Sequence, residues 1–249
     1  MSLVFNFNYF FMMNESLKDK VVVVTGASSG IGKSIAMRFA KEGAKVIVSS
    51  RTLDRCEDVV KEIRSKVQIA SAVHCDVSNE QDVISLFDQC LKIYGDPDVV
   101  IANAGISGGN KTVEDYNLED WNRVLATNLT GVFLTTREAF RRMKSKGGHI
   151  IVMSSQAGVE GYAGKGAYCA SKFGARGIAH ALGEEGRKYN INVSTICPGT
   201  VDTPILSASN TNVKNPMTPE AIADAAVFLA SLKGNSLVRD LVVERRLLG

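Results

Sequence analysis

Tyr168 and Lys172 stand four residues apart in the run Tyr168-Cys169-Ala170-Ser171-Lys172, with Ser154-Ser155-Gln156 a short way upstream. On a helix, positions i and i+4 share one face a single turn apart. A phenol ordinarily ionises near pH ~10, and a neighbouring ammonium favours the ionised form. Moving that ionisation to about 7 takes roughly 4 kcal/mol of differential interaction, which a close cation in a partly dry site can supply. The pair reads as a tuned proton donor, with the Ser155 hydroxyl ready to hold a substrate oxygen. Tyr-x-x-x-Lys is also a common helical spacing, so the assignment depends on what the rest of the chain builds around it.

Val21-Val22-Val23-Val24 is the continuous β-branched run of a strand buried on both faces of a parallel sheet. It enters the loop Thr25-Gly26-Ala27-Ser28-Ser29-Gly30-Ile31-Gly32, and a helical pattern follows over 33–42. Gly43 closes that helix before a second strand over 45–49. Strand, glycine loop, helix and strand form the dinucleotide-binding pattern. Gly26 permits the turn, Gly30 lets phosphates approach, and Gly32 allows close helix–strand packing. Backbone amides from Ser28 to Gly32 are left to face a pyrophosphate at a helix N-terminus. At the tip of the second strand, where a site for NAD carries a carboxylate, the chain has Ser50 and Arg51, with Arg55 a turn later. A carboxylate repels a 2′-phosphate, whereas serine and guanidinium attract it. The cofactor expected is NADP(H).

The alternation continues with helices over 53–66, 83–94, 118–146, 168–189 and 219–232, and strands over 69–75, 98–102, 149–153, 192–196 and 240–244. Unbroken β–α alternation without repeats or a linker predicts an α/β fold. It is a single Rossmann-like domain, residues 18–249, with a doubly wound parallel sheet and helices on both faces. Residues 1–17 read as an N-terminal extension. It is too short to span a bilayer and lacks the charged start and cleavage site of a signal peptide.

Composition narrows the function. The chain has 249 residues, 45% of them apolar and 22% charged, with a formal charge of +3. That is ordinary for a globular protein and gives no basic, aromatic-interleaved face for nucleic acid. The five cysteines form no CxxC pair, pointing to a reducing, cytoplasmic setting without disulfides or a metal site. His74, His149 and His180 are scattered and have no catalytic assignment. No nucleic-acid or membrane partner is expected.

Taken in order, six motifs resemble the short-chain dehydrogenase/reductase family from about Lys18 nearly to the end. They are the glycine loop, Cys75-Asp76-Val77, Asn103-Ala104-Gly105, Thr127-Asn128-Leu129, the Ser154-Ser155 to Lys172 stretch, and Pro198-Gly199-Thr200-Val201-Asp202-Thr203. The resemblance implies that Tyr168 is the general acid toward a carbonyl oxygen, or the base in reverse. Lys172 lowers the tyrosine's pKa and binds the nicotinamide ribose, and Ser155, rather than Ser154, ligates the substrate oxygen. Asn128 holds a water that relays protons to Lys172. Asp76 and Val77 meet the adenine, and Asn103, Ala104 and Gly105 line the cofactor cleft. Pro198, Gly199, Val201 and Thr203 flank the nicotinamide.

The substrate implied is a small carbonyl or alcohol, bordered by 107–109, 159–166 and a lid-like segment, 204–219. The tail lacks the Val-Asp-Gly-Gly-like end of acyl-carrier-protein reductases and is closer to NADP-dependent 3-hydroxy acid dehydrogenases and carbonyl reductases. A 3-oxoacyl-[acyl-carrier-protein] reductase, whose acidic carrier could meet Lys144, Lys146, Arg187 and Lys188, is the alternative within the class. A non-catalytic NADP-binding regulator is the alternative outside it. The resemblance further implies a homodimer or homotetramer built on the two long helices.

Overall fold

The computed structural model describes residues 17–208, 213–232 and 236–245. Seven parallel strands lie in the order β3-β2-β1-β4-β5-β6-β7. They are β1 (Val21–Thr25), β2 (Lys45–Ser50), β3 (Ile69–His74), β4 (Val99–Ala102), β5 (Gly148–Met153), β6 (Ile191–Pro198) and β7 (Asp240–Val243). Between them run α1 (Gly30–Lys41), α2 (Leu53–Arg64), α3 (Glu80–Tyr94), α4 (Leu118–Leu125), α5 (Gly131–Met143), α6 (Gly166–Gly186), the short α7 (Pro204–Ala208) and α8 (Pro219–Ser231). This is the expected doubly wound α/β sheet.

The valine run shows why the strand forms there. Val22 and Val24 join a core with Ile35, Phe39, Ile63 and Ile222 from α1, α2 and α8. Val21 and Val23 join a second core with Leu86, Phe87, Phe140 and Met143 from α3 and α5. Alternate residues of one strand thus face two helical layers, and each buried valine contributes about 1.5–3 kcal/mol. Successive strands leave β1 in one direction to β2 and β3, and in the other to β4 and β5. The order reverses between β1 and β4, and the crevice at their carboxyl ends is where such sheets bind ligands.

The helix expected over 118–146 is interrupted. Between α4 and α5 lies one π-helical turn, Ala126–Thr130, and α5 ends at Met143. The Gly131 N–H bonds back to the Ala126 carbonyl, five residues behind. Buried apolar positions occur on both sides of this turn, Val124 before and Val132, Ala139 and Met143 after, so the stretch reads as one helix from its apolar residues. Such turns occur frequently at functional sites, and this one holds Asn128.

Of the expected extension, only Leu17 lies among the described residues, where it is buried in the first core. Residues 209–212 of the expected lid segment lie outside the described residues.

Candidate active site

The glycine loop is shaped by close approaches. Gly26 has φ +65°, and a Cβ there would stand 2.7 Å from the Ala104 Cα. A Cβ on Gly32 would stand 2.4 Å from the Gly26 carbonyl oxygen and 2.5 Å from Asn103 Nδ2. Asn103 Nδ2 donates to the Thr25 carbonyl at 2.8 Å, and the Asn103 N–H donates to Thr25 Oγ1 at 3.1 Å, latching the end of β4 onto the loop. Helix α1 begins without a side-chain cap at Ser29 and without an acidic residue in its first turn. By contrast, α3 is capped by Asn79, whose side chain accepts from the Gln81 and Asp82 amides. The α1 amides and their positive dipole end are left for an anion.

From this loop a cavity of about 740 Å³ runs across the carboxyl ends of the strands. Gly26, Ser28, Ser29, Gly30, Ile31 and Gly32 line it, as do Ser50, Arg51, Arg55 and Val77. Asn103, Ala104, Gly105, Ser155, Tyr168, Lys172, Pro198, Gly199, Val201 and Thr203 complete the expected set. The glycine cradle and the uncapped helix end fit the diphosphate of a nicotinamide dinucleotide.

Asp76 and Asn128 do not line the cavity. Asp76 turns into its own loop, where its Oδ1 accepts from the Ser78 amide at 3.0 Å and the Ser78 hydroxyl at 2.7 Å. Partial burial pushes its pKa up, but those hydrogen bonds and the Arg51 and His74 charges outweigh it and leave the carboxyl below its usual range. Cys75 and Val77, on either side, take the wall.

Asn128 is fully buried one layer behind. Its Oδ1 accepts from the Ile106 N–H and its Nδ2 donates to the Ile106 carbonyl, both at 2.8 Å. Nδ2 also reaches Ser171 Oγ at 3.3 Å. The amide therefore clamps the loop after β4 to α6. Its nearness to the cleft shows at Gly105, where a Cβ would stand 3.4 Å from Asn128 Oδ1 and 3.6 Å from Lys172 Nζ.

The two serines divide their work. Ser154 Oγ is buried and donates to the Lys172 carbonyl at 3.0 Å, tying β5 to α6. Ser155 Oγ lies 3.5 Å from the Pro198 carbonyl, accepts from the Ala157 amide at 3.1 Å, and hydrogen-bonds the Tyr168 hydroxyl. Ser155 is thus the serine next to the phenol.

Lys172 is 3% exposed, and its Nζ donates to the Met153 carbonyl at 2.8 Å and stands 5.6 Å from the centre of the Tyr168 ring. Burial pulls the ammonium down to about 8. The expected lowering of the tyrosine is not produced by the protein groups alone. Burial pushes the Tyr168 phenol up, and the Ser155 hydrogen bond only partly offsets it. The ammonium lies beneath the ring with its Nζ hydrogen-bonded to the Met153 carbonyl.

Ser50 is also more committed than its position suggested. Its Oγ donates to the Thr52 carbonyl at 3.2 Å, receives the Thr52 N–H at 3.2 Å, and stands 3.1 Å from Cys56 Sγ. Arg51 and Arg55 form no ion pair among the described residues and remain the charges of that end.

Several further residues on the wall had no role assigned from the sequence. Thr127 and Gln156 adjoin Asn128 and Ser155; a Cβ on Gly199 would stand 2.6 Å from Gln156 Oε1. Tyr162 and Lys165, within the expected 159–166 border, line the opposite side with Asn110, Ile205 and Leu206. From 107–109, only Ser107 reaches the wall.

A family model described as short chain dehydrogenase matches residues 20–214. The chain is 38% identical over 234 residues to an NADP-dependent (R)-specific alcohol dehydrogenase of Lentilactobacillus kefiri, covering 88% of this chain and 92% of the relative. It is also 38% identical over 199 residues to a 3beta-hydroxysteroid dehydrogenase of Mediterraneibacter gnavus, covering 80% of this chain and 72% of the relative. Among solved structures, an alcohol dehydrogenase of the archaeon Thermococcus sibiricus complexed with 5-hydroxy-NADP superposes with TM-score 0.83 at 30% identity, covering 90% of this chain and 95% of that one. A 3-ketoacyl-(acyl-carrier-protein) reductase of Brucella melitensis complexed with NADH gives 0.84 at 29%, covering 92% and 98%. The chain belongs to the short-chain dehydrogenase family. It is an oxidoreductase acting on alcohol and keto groups.

Proposed function

We propose that the protein is an NADPH-dependent reductase of small ketones, aldehydes or 3-oxo compounds, running in reverse as an alcohol dehydrogenase. One observation carries the reading. A single cleft holds Ser155, Tyr168 and Lys172 on the β5 side of the switch point and the unpaired guanidiniums of Arg51 and Arg55 on the β2 side. When bound, the nicotinamide dinucleotide supplies the hydride. Ser155 and Tyr168 hydroxyls donate to the carbonyl oxygen, and the Tyr168 proton passes to it as negative charge develops there. Lys172, beneath the ring, stabilises the phenolate left behind. Asn128 acts by holding Ile106 and Ser171 in place. Asp76 keeps the turn before Val77.

The coenzyme preference follows from charge. Arg51 and Arg55 form no ion pair among the described residues, Asp76 acting on Arg51 only as a nearby charge, so a 2′-phosphate supplies their counter-ion. The named NADP-dependent relative supports the same preference. Arg51→Ala is expected to lower the ratio of NADPH to NADH affinity by about 10- to 100-fold, the size of a charge-assisted contact, with Arg51→Ala/Arg55→Ala lowering it further. Fluorescence titration with each coenzyme reads the ratio; equal weakening of both would remove the 2′-phosphate assignment.

Within the proposal, residues 18–249 act as one domain after an extension over 1–17, in the cytoplasm. They assemble as a homodimer or homotetramer through α4–α5 and α6, where Phe133 and Phe173 are each 44% exposed. An acyl-carrier partner has less support. Lys146 is held by the Asp96 carbonyl and Asp98, and Arg187 by Glu184, so half of the basic residues considered for a carrier are already engaged.

A further inference from the structure

The walls of the cleft are electrostatically one-sided. They carry four cationic side chains, Arg51, Arg55, Lys165 and Lys172, and not one aspartate or glutamate among the described residues. Three of the four have work in the reading above: the two arginines face the 2′-phosphate end and Lys172 lies under the tyrosine. Lys165 has none. It immediately precedes α6 and lies three residues before Tyr168, so its side chain issues about one turn from the phenol.

Its surroundings are those of a cation without a counter-ion. Lys165 Nζ donates to the Gly109 carbonyl at 2.9 Å, leaving two of its three N–H donors unused among the described residues. The neighbouring Lys111 differs, since its Nζ pairs with Asp120 at 2.5 Å. The nearest carboxylate along the loop, Glu160, is engaged by the Tyr162 hydroxyl and forms no pair with Lys165. Burial pulls the Lys165 ammonium below its ordinary range, and among the described residues only Cys169, on the next turn, opposes this. An anion brought to Nζ reverses that cost.

We propose that Lys165 binds the carboxylate of the substrate, so that the carbonyl compounds reduced here are short oxo acids whose carboxylate lies within a few atoms of the carbonyl held by Tyr168 and Ser155. The inference rests on the reductase reading and names the substrate class of the same site. A bound carboxylate takes the two open N–H donors while Gly109 keeps the third, and the ion pair fixes which way round the substrate lies. The acid group thereby sets the face of the carbonyl presented for reduction. An ester or a carrier thioester leaves the ammonium uncompensated.

The test compares acid and ester. Wild-type protein with NADPH is assayed on 3-oxobutanoate and 4-oxopentanoate and on their methyl esters. The expected result is an acid-over-ester preference in kcat/KM for at least one pair. Lys165→Met keeps the apolar stem and is expected to lower the acid/ester ratio by about 10- to 100-fold, the worth of a charge-assisted hydrogen bond, while Lys165→Arg retains most of it. A purely structural role, as a tether for Gly109, lowers acid and ester alike and leaves the ratio unmoved; that result would overturn the proposal. So would a wild-type preference for the esters in both pairs. Calorimetric titration of 3-hydroxybutanoate and its methyl ester into the NADP-loaded protein reads the same contact without turnover. There, acid binding weakened by Lys165→Met supports the contact, and equal binding by wild type and variant refutes it. Reduction of esters alone leaves the reductase reading intact and sinks only the carboxylate site. Absence of NADPH oxidation with any carbonyl, beside Lys165-dependent acid binding, does the reverse.

Discussion

Tyr168→Phe is expected to lower kcat/KM for carbonyl reduction by about a hundred- to ten-thousand-fold, the range that a positioned proton donor contributes. The variant keeps the ring that packs over Lys172 Nζ and loses only the hydroxyl that meets Ser155. The fold and the glycine cradle stay as they are, so NADPH affinity falls far less than turnover. Absorbance decay of NADPH measures the first quantity and fluorescence titration the second. Turnover within a few-fold of wild type would remove Tyr168 from the chemistry, and equal losses in binding and turnover would make it a cofactor ligand only.

Lys172→Met is expected to move activity and stability in opposite directions. Turnover falls by about a hundredfold or more, because the phenolate loses the cation beneath it. Stability at pH 7 rises. The fall of the ammonium from its ordinary 10.5 to about 8 means that the folded state holds the charged form at a cost of about 3 kcal/mol. Losing the 2.8 Å bond to the Met153 carbonyl gives back about 1 kcal/mol, so a net gain of about 2 kcal/mol is expected. The sign follows from proton binding. Between about pH 8 and 10.5 the unfolded lysine holds its proton more firmly than the folded one, so wild-type stability rises with pH across that window. Below it the full cost is present. Urea unfolding of cofactor-free wild type and variant should show a gap that narrows as pH rises from 8 toward 10.5. A variant less stable than wild type at pH 7 would contradict the buried-cation description.

The sequence made the sheet legible because parallel strands buried on both faces read as runs such as Val21–Val24 and Ile150–Val152, with glycines at their ends. The glycine loop was legible for a related reason: Gly26 needs a left-handed φ and Gly32 leaves no room for a Cβ, so residue type alone marks both. What stayed hidden was set by direction rather than by type. Asp76 sits beside two wall residues, yet it faces its own turn, and no pattern distinguishes a carboxylate turned toward Ser78 from one turned toward a ligand. The π turn at Asn128 leaves no trace in residue type, because buried apolar positions such as Val124 and Val132 continue on both sides of it. The place of the Lys172 ammonium is set by the Met153 carbonyl, which comes from β5 and not from its own helix. Tyr162 and Lys165 belong to a loop whose residues carry no motif, and the absence of carboxylates around them appears only once the wall is assembled.

The pH dependence of kcat/KM for carbonyl reduction, measured on wild type and Tyr168→Phe, tests most directly whether this phenol is the proton donor. Wild type is expected to hold a plateau on the acid side and to fall about tenfold per pH unit once the phenol has lost its proton. Tyr168→Phe is expected to run far below it, without that alkaline limb. A variant that keeps both the limb and the rate would place the proton donor elsewhere.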